Sequence, residues 1–332
     1  MSKMLITGGS GFIGMNLVEH ALARGWTVST IDLAEPVVDA HRALWTEIDL
    51  LDAAAVSGAV ALSGADVVVH LAARTDLQGD DVAAYDLNVA GTKNVVDAIL
   101  GIDDAERPRL VNVSTMLVCS YGRQPSGPDD VDPVTPYGES KVVAERCVAT
   151  ADDLEWVTIR PTSVWGPHFA GGYRQFFDRV LRRRYLNVGL RPIAKDFVYV
   201  SNLAADIVDL SAADGALVCG RTFYSLDQPR YSTREFAAAI AEAAGGRSPR
   251  SLPVWALRVV AAVFDAARTV RLVANPPMGR FRLSNMTTPC SLDTWGVETM
   301  STQPRVDLRS GVIATVAWIE RCQVRPDRSV GS

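Results

Sequence analysis

The stretch Thr7-Gly8-Gly9-Ser10-Gly11-Phe12-Ile13-Gly14 decides how this chain folds. It follows the apolar run Lys3–Thr7 and opens the helical pattern Ile13–Arg24. Gly8, Gly11 and Gly14 permit a tight turn and let a charged group approach the backbone closely. A helix start adds unpaired N–H groups that favour an anion. Strand, glycine turn and helix in that order predict a cradle for the pyrophosphate of a dinucleotide, with Phe12 and Ile13 among its contacts. Asp32 ends the next apolar run, Thr27–Asp32, 18 residues beyond Gly14. A carboxylate there accepts hydrogen bonds from adenosine ribose hydroxyls and repels a 2′-phosphate. No Arg or Lys follows before Arg42, so NAD is expected over NADP.

Working outward, further strands are predicted at Leu44–Leu50, Asp66–Leu71, Arg109–Ser114 and Trp156–Arg160. Several are nearly continuous apolar runs, as strands buried on both faces require. Helices are predicted at Val82–Leu100 and Pro136–Ala149 between them. Alternating strands and helices imply an α/β fold with a doubly wound parallel sheet, the Rossmann plan. After Pro161 the rhythm breaks. Gly166-Pro167 and Gly171-Gly172 punctuate the chain, a helix pattern runs Tyr173–Arg183, and a strand at Asp196–Val200 leads into a helix, Asn202–Ala213. The expected division is a cofactor domain of 1–165 plus about 196–225, and a smaller mixed substrate domain of about 166–195 plus 226–332. The strand and helix around 196–225 are expected to return to the large sheet.

A chain of 332 residues has room for both bodies, and 48% hydrophobic with 21% charged residues is ordinary for a globular enzyme. A net charge of −5 argues against a nucleic-acid surface. Arg179, Arg182, Arg183, Arg184 and Arg191 form one basic cluster, read as a solvated face with a substrate diphosphate as the alternative. The five cysteines include no C-x-x-C and the four histidines no ligand spacing, so neither disulfides nor a metal is expected. Met1-Ser2-Lys3 leads straight into a strand without a signal pattern, and a cytoplasmic protein is expected. The apolar segment Leu252–Val273 carries Arg258, Asp265, Arg268 and Arg271, which predicts an amphipathic helix and no integral membrane span. A peripheral membrane or subunit contact is the alternative there. The expected partners are a small-molecule substrate and a second copy of the chain in a homodimer.

Tyr137-Gly138-Glu139-Ser140-Lys141 is the second strong signal. On a helix, a four-residue spacing sets phenol and ammonium on one face. A cationic Lys141 beside Tyr137, with an oxidised nicotinamide, is expected to lower the phenol from its usual value of about 10 toward neutrality, making Tyr137 a general base. Lys141 is also expected to hold the nicotinamide ribose.

With the glycine loop and Asp32, the segments Asp49-Leu50, His70-Leu71-Ala72-Ala73, Asn88-Val89-x-Gly91-Thr92 and Tyr137-x-x-x-Lys141 resemble successive landmarks of the extended short-chain dehydrogenases. The resemblance covers about residues 1–210. It implies that Asp49 and Leu50 meet the adenine, that Leu71, Ala72 and Ala73 line the cofactor, and that Asn88 organises backbone. It implies that Thr115, or failing it Ser114, holds the substrate oxygen. Arg160-Pro161-Thr162-Ser163-Val164-Trp165-Gly166-Pro167 is similar to the family segment whose backbone flanks the nicotinamide, which adds Pro161 and Val164.

One departure bears on the reaction. Nucleotide-sugar dehydratases of this family carry an acidic pair where this chain has Met116 and Leu117. Neither side chain exchanges protons, so dehydration is not expected, and related decarboxylases are disfavoured for the same reason. Lys195-Asp196-Phe197 resembles the Arg-Asp-Phe of nucleotide-sugar epimerases, whose arginine contacts a substrate phosphate. The leading expectation is therefore an NAD-dependent nucleotide-sugar epimerase or dehydrogenase, its substrate anchored by Lys195 and Arg282. A sterol-type 3β-hydroxy dehydrogenase is the alternative, supported by the Leu252–Val273 segment. A non-catalytic NAD-binding regulator is the remote one.

Overall fold

Alternation of strand and helix fills the first half of the computed structural model, which describes residues 2–253, 255, 288 and 304–324. In order come β1 (Lys3–Thr7), α1 (Phe12–Ala23), β2 (Thr27–Asp32), β3 (Trp45–Glu47), α2 (Ala53–Ser63), β4 (Val67–His70), α3 (Thr92–Leu100), β5 (Arg109–Val113), α4 (Pro136–Ala149) and β6 (Trp156–Pro161). Then follow β7 (Ser163–Trp165), α5 (Gly171–Leu181), β8 (Asn187–Val188), β9 (Ala194–Lys195), β10 (Phe197–Tyr199), α6 (Val200–Ala212), the short α7 (Gly215–Val218) and β11 (Arg221–Ser225). The remaining described elements are β12 (Tyr231–Ser232), α8 (Thr233–Ala243), β13 (Ser251–Leu252) and α9 (Leu308–Val324).

Seven parallel strands form the large sheet in the order β11-β6-β5-β4-β1-β2-β3. Strand order reverses between β1 and β4, so a crevice opens at their carboxyl ends, where doubly wound sheets bind ligands. Alternate residues of β1 serve opposite layers. Met4 and Ile6 pack with Leu17 and Val18 of α1 and with Leu203 and Ile207 of α6, while Leu5 packs with Val56 of α2 and with Val95 and Ile99 of α3. Burying each such side chain stabilises by about 1.5–3 kcal/mol. Val67, Val68 and Val69 are all buried, as the unbroken apolar run predicts.

Three local expectations change. The strand at Leu44–Leu50 shortens to β3, which pairs only with Thr30–Asp32. Beyond it, Asp49 turns the chain by accepting the Leu51 N–H at 2.9 Å. The single helix at Val82–Leu100 divides into a 3-10 turn (Val82–Tyr85), a π turn (Leu87–Gly91) and α3. Asn88 in the π turn is buried and reaches back to residue 74, which regular α geometry has to yield to. The strand near 197 pairs with β7, not with the large sheet. The chain rejoins that sheet through α6, which packs on α1, and through β11 at its edge.

A second core is aromatic. Trp165, Phe177, Phe197, Tyr199, Tyr231 and Phe236 pack together with Val312, Val316 and Ile319 of α9. Trp165 Nε1 donates to the Tyr231 hydroxyl at 2.7 Å. A Cβ at Gly311 would stand 2.9 Å from the Trp165 ring, so only glycine lets α9 approach this closely.

Candidate active site

The glycine loop lies where β1 and β4 diverge. Gly8 has φ +74°, and a Cβ there would stand 2.6 Å from the Ala72 nitrogen. A Cβ at Gly14 would stand 2.2 Å from the Gly8 carbonyl oxygen. The loop is thus pressed against itself and against the Leu71-Ala72-Ala73 segment, as a close backbone cradle demands. α1 begins at Gly11 with no side chain capping its first N–H groups, which leaves them for an anion. Asp32 stands beside the loop, Oδ2 accepting the Ser10 N–H at 3.0 Å and Oδ1 the Ala34 N–H at 3.1 Å. The Ser10 hydroxyl is buried without a partner among the described residues. These groups fit a dinucleotide. Ile13 packs into the sheet core, whereas the Phe12 ring turns to Phe169, 6.2 Å away. Asp49 is exposed, and Leu50 is buried in the core with its carbonyl accepting from Asn94 at 2.8 Å.

β5 and α4 bring the candidate catalytic residues together. Gly138 makes this approach possible, since a Cβ there would stand 2.3 Å from the Leu117 carbonyl oxygen. Thr135 caps α4 by accepting the Gly138 N–H at 3.0 Å, and Pro136 stands in its first turn. Tyr137 is buried, hydrogen-bonded to Thr115, and packed at 5.9 Å against the Tyr85 ring. Thr115 Oγ1 also accepts the Leu117 N–H at 3.2 Å. The buried Ser114 hydroxyl has no partner among the described residues. Lys141, equally buried, donates from Nζ to the Val113 carbonyl at 2.8 Å. Pro161 is buried at the end of β6, and Val164 is half-buried in β7.

The electrostatics differ from the sequence expectation. Burial pushes the Tyr137 phenol up to about 12, against the Thr115 hydrogen bond, which pulls it down. Burial brings Lys141 down to about 8, with Glu145 acting the other way. The protein alone therefore holds both groups toward their neutral forms, because desolvation outweighs the Thr115 hydrogen bond at Tyr137 and the Glu145 charge at Lys141. An oxidised nicotinamide, when bound, would supply a hydride acceptor and a positive charge that favours phenolate.

Two networks support the site, of which the sequence foresaw only that Asn88 organises backbone. His70 is buried and held down at about 3 by desolvation, so its ring is neutral. The Ala72 N–H donates to Thr7 Oγ1, which donates to His70 Nδ1 at 2.8 Å. His70 Nε2 then donates to Thr92 Oγ1 at 3.0 Å, and Thr92 donates to the Asn88 carbonyl at 2.7 Å. This direction follows because Thr92 spends its proton on a carbonyl. Asn88 Oδ1 accepts the Arg74 N–H at 2.7 Å, and Nδ2 donates to Ser140 Oγ, which donates to the Tyr137 carbonyl. Arg160 is clamped by Glu145 and donates to Tyr224 and to the Pro128 carbonyl. A polar residue ending the apolar run of β4 was the available signal for the first network.

Lys195 is buried, donating to the Thr288 carbonyl with its ammonium 5.1 Å from the Tyr121 ring centroid. Arg282 and nearly all of Leu252–Val273 lie outside the described residues. No helix among the described residues is long and apolar enough to cross a membrane.

Fold and glycine loop together define a dinucleotide-dependent enzyme. Residues 4–216 match the NAD-dependent epimerase/dehydratase family, and the chain belongs to it, an enzyme of the extended short-chain dehydrogenase type with NAD as cofactor. It is 32% identical over 271 residues to 3 beta-hydroxysteroid dehydrogenase/Delta 5-->4-isomerase of Mycobacterium tuberculosis, covering 75% of this chain and 71% of that one. It is 29% identical over 303 residues to 2-alkyl-3-oxoalkanoate reductase of Stenotrophomonas maltophilia, covering 86% and 90%. Its fold matches that of Thermus thermophilus UDP-glucose 4-epimerase in complex with NAD, with TM-score 0.70, 22% identity, and 96% and 99% of the two chains covered.

Proposed function

We propose that the chain interconverts a secondary hydroxyl and a ketone on a largely apolar substrate, of the sterol or alkyl-ketone kind. Tyr137 takes or returns the hydroxyl proton, Thr115 holds the substrate oxygen, and Lys141 steadies the nicotinamide ribose. The glycine loop and Asp32 hold the rest of NAD in the cofactor domain (1–165 plus about 196–225), facing a substrate domain from the remaining chain. A homodimer in the cytoplasm is the expected setting.

The observation that carries this reading is the turn after Thr115. Met116 is buried with Tyr224 and Leu226, and Leu117 and Tyr121 pack against them, so the turn that follows Thr115 is apolar. It offers no acid to eliminate water. Lys195, the described candidate for a phosphate anchor, is already committed to a carbonyl and a ring. The relatives matched at 32% and 29% identity, a hydroxysteroid dehydrogenase and an alkyl-ketone reductase, support the same side. This reverses the order in which the sequence alone ranks sterol-type and nucleotide-sugar substrates.

The test is incubation of purified protein with NAD+ and 3β-hydroxysterols, with NADH and 2-alkyl-3-ketoacids, and with nucleotide hexoses. Net oxidation or reduction of the nicotinamide is expected with an apolar substrate. Epimerised nucleotide sugar without net cofactor turnover would overturn the proposal in favour of the sugar reading.

A further inference from the structure

α5 ends in a turn bearing three consecutive arginines. Arg182 caps the helix, Arg183 follows at φ +57°, and the Arg184 N–H donates back to the Arg179 carbonyl at 2.7 Å. The left-handed position just past a helix suits glycine best, yet an arginine occupies it here. Arg179, Arg182, Arg183 and Arg184 are all exposed. Asp178 shares their surface depression but is paired with Arg174 at 3.2 Å, leaving the local charge positive. The chain then enters β8, paired with β13, and Arg191 follows. On either side of β8, Leu186 and Leu190 are 47% and 66% exposed.

Either feature alone is unremarkable, because exposed leucines and solvated arginines occur on every surface. Here both occur within twelve residues of chain on a protein of net charge −5: exposed arginines at 179 and 182–184, and exposed leucines at 186 and 190. We propose that this face docks the protein on a bilayer containing anionic phospholipid. The guanidinium groups pair with headgroup phosphates, and Leu186 and Leu190 enter the boundary between headgroups and acyl chains. A soluble phosphate would leave the leucines unused, and a nucleic acid would meet repulsion from the rest of the chain. The inference does not depend on the apolar-substrate reading, since the docking face is tested without turnover.

The experiment is sedimentation of the full chain with vesicles of phosphatidylcholine alone or mixed with phosphatidylglycerol. Binding is expected only to the mixed vesicles, weakening as salt rises. The triple variant Arg182→Gln, Arg183→Gly, Arg184→Gln should bind roughly a hundred-fold more weakly, at about five-fold per cation near an anionic surface. Should that variant unfold, Arg183→Gly alone, which relieves the turn, is expected to lose about five-fold. Leu186→Ser with Leu190→Ser should weaken binding at unchanged charge. Failure of the unaltered chain to bind mixed vesicles overturns the proposal. So does undiminished binding by the folded arginine or leucine variants, or equal competition by duplex DNA.

Discussion

At Tyr137, desolvation opposes the proton transfer proposed for the residue. A phenol held near 12 is a poor base at neutral pH, so its ionisation depends on what binds beside it. Tyr137→Phe removes the hydroxyl and little else, and should cut turnover by at least ~10²-fold while NAD binding stays nearly intact. Alcohol oxidation needs the deprotonated phenol, so its rate should rise with pH, and the Phe variant's residual rate should lose that rise. Steady-state rates across pH, with NAD affinity from fluorescence titration, check both points. A fully active Phe variant would remove Tyr137 as the base. Asp32 is the residue proposed to meet the other end of the cofactor. Its carboxylate beside the Ser10 N–H repels a 2′-phosphate, so Asp32→Ala should narrow or reverse the preference for NAD over NADP in direct binding measurements.

Between elements, the contact of α4 with the turn after β5 decides whether Tyr137 meets Thr115. Glycine inside a helix ordinarily costs ~0.5–1 kcal/mol relative to alanine. At Gly138 that sign should reverse, because the added Cβ would collide with the Leu117 carbonyl at 2.3 Å. Gly138→Ala is expected to destabilise by about 1–3 kcal/mol, as overpacking does, and to lower turnover by shifting Tyr137. Denaturant titration and kinetics measure the two effects, and a stabilised variant would show that the helix can move away freely. The same scale marks what the sequence could reveal. β1 and β4 were legible because burial on both faces leaves unbroken apolar runs, and α4 because Thr135 and Pro136 announce its start. The glycine loop and Tyr137-x-x-x-Lys141 are local in sequence, so their joint meaning survives without coordinates. The π turn at Leu87–Gly91 was not legible, because Asn88 is held by contacts to residues 74 and 140. α2 escaped notice for another reason. Only Val56 and Val60 are buried in it, and its many alanines give little contrast between faces.

For the molecule as a whole, one buried charge cluster joins the C-terminal segment to the edge of the large sheet. Arg305, just ahead of α9, reaches Asp206 Oδ1 at 2.7 Å and Asp227 Oδ1 at 3.4 Å. Asp206 also accepts from Ser225 of β11, and Asp227 accepts the Tyr199 N–H at 2.7 Å and the Asn202 amide at 2.8 Å. These partners lie up to 99 positions apart, so nothing in the sequence paired them. Two acids share one arginine, and burial raises both; Asp227 is pushed up to about 6 in spite of its hydrogen bonds. The folded state therefore binds a proton at Asp227 more tightly than the unfolded chain, whose carboxyl titrates near ~3.9. The resulting stabilisation is complete below about pH 4 and is lost as pH rises through about 6. Its full size is about 3 kcal/mol, at roughly 1.4 kcal/mol for each unit by which the two values differ. Asp227→Asn replaces this group with an amide that stays neutral at every pH and keeps an acceptor oxygen. Asp206 titrates in both proteins, so to first order it cancels from the difference between them. Unfolding midpoints of the two proteins, measured from pH 4 to 7, should converge or cross as pH rises, the unaltered protein losing ground by several degrees. A difference that stays flat across that range would mean that Asp227 is ionised throughout, with Arg305 and the two hydrogen-bond donors outweighing its burial.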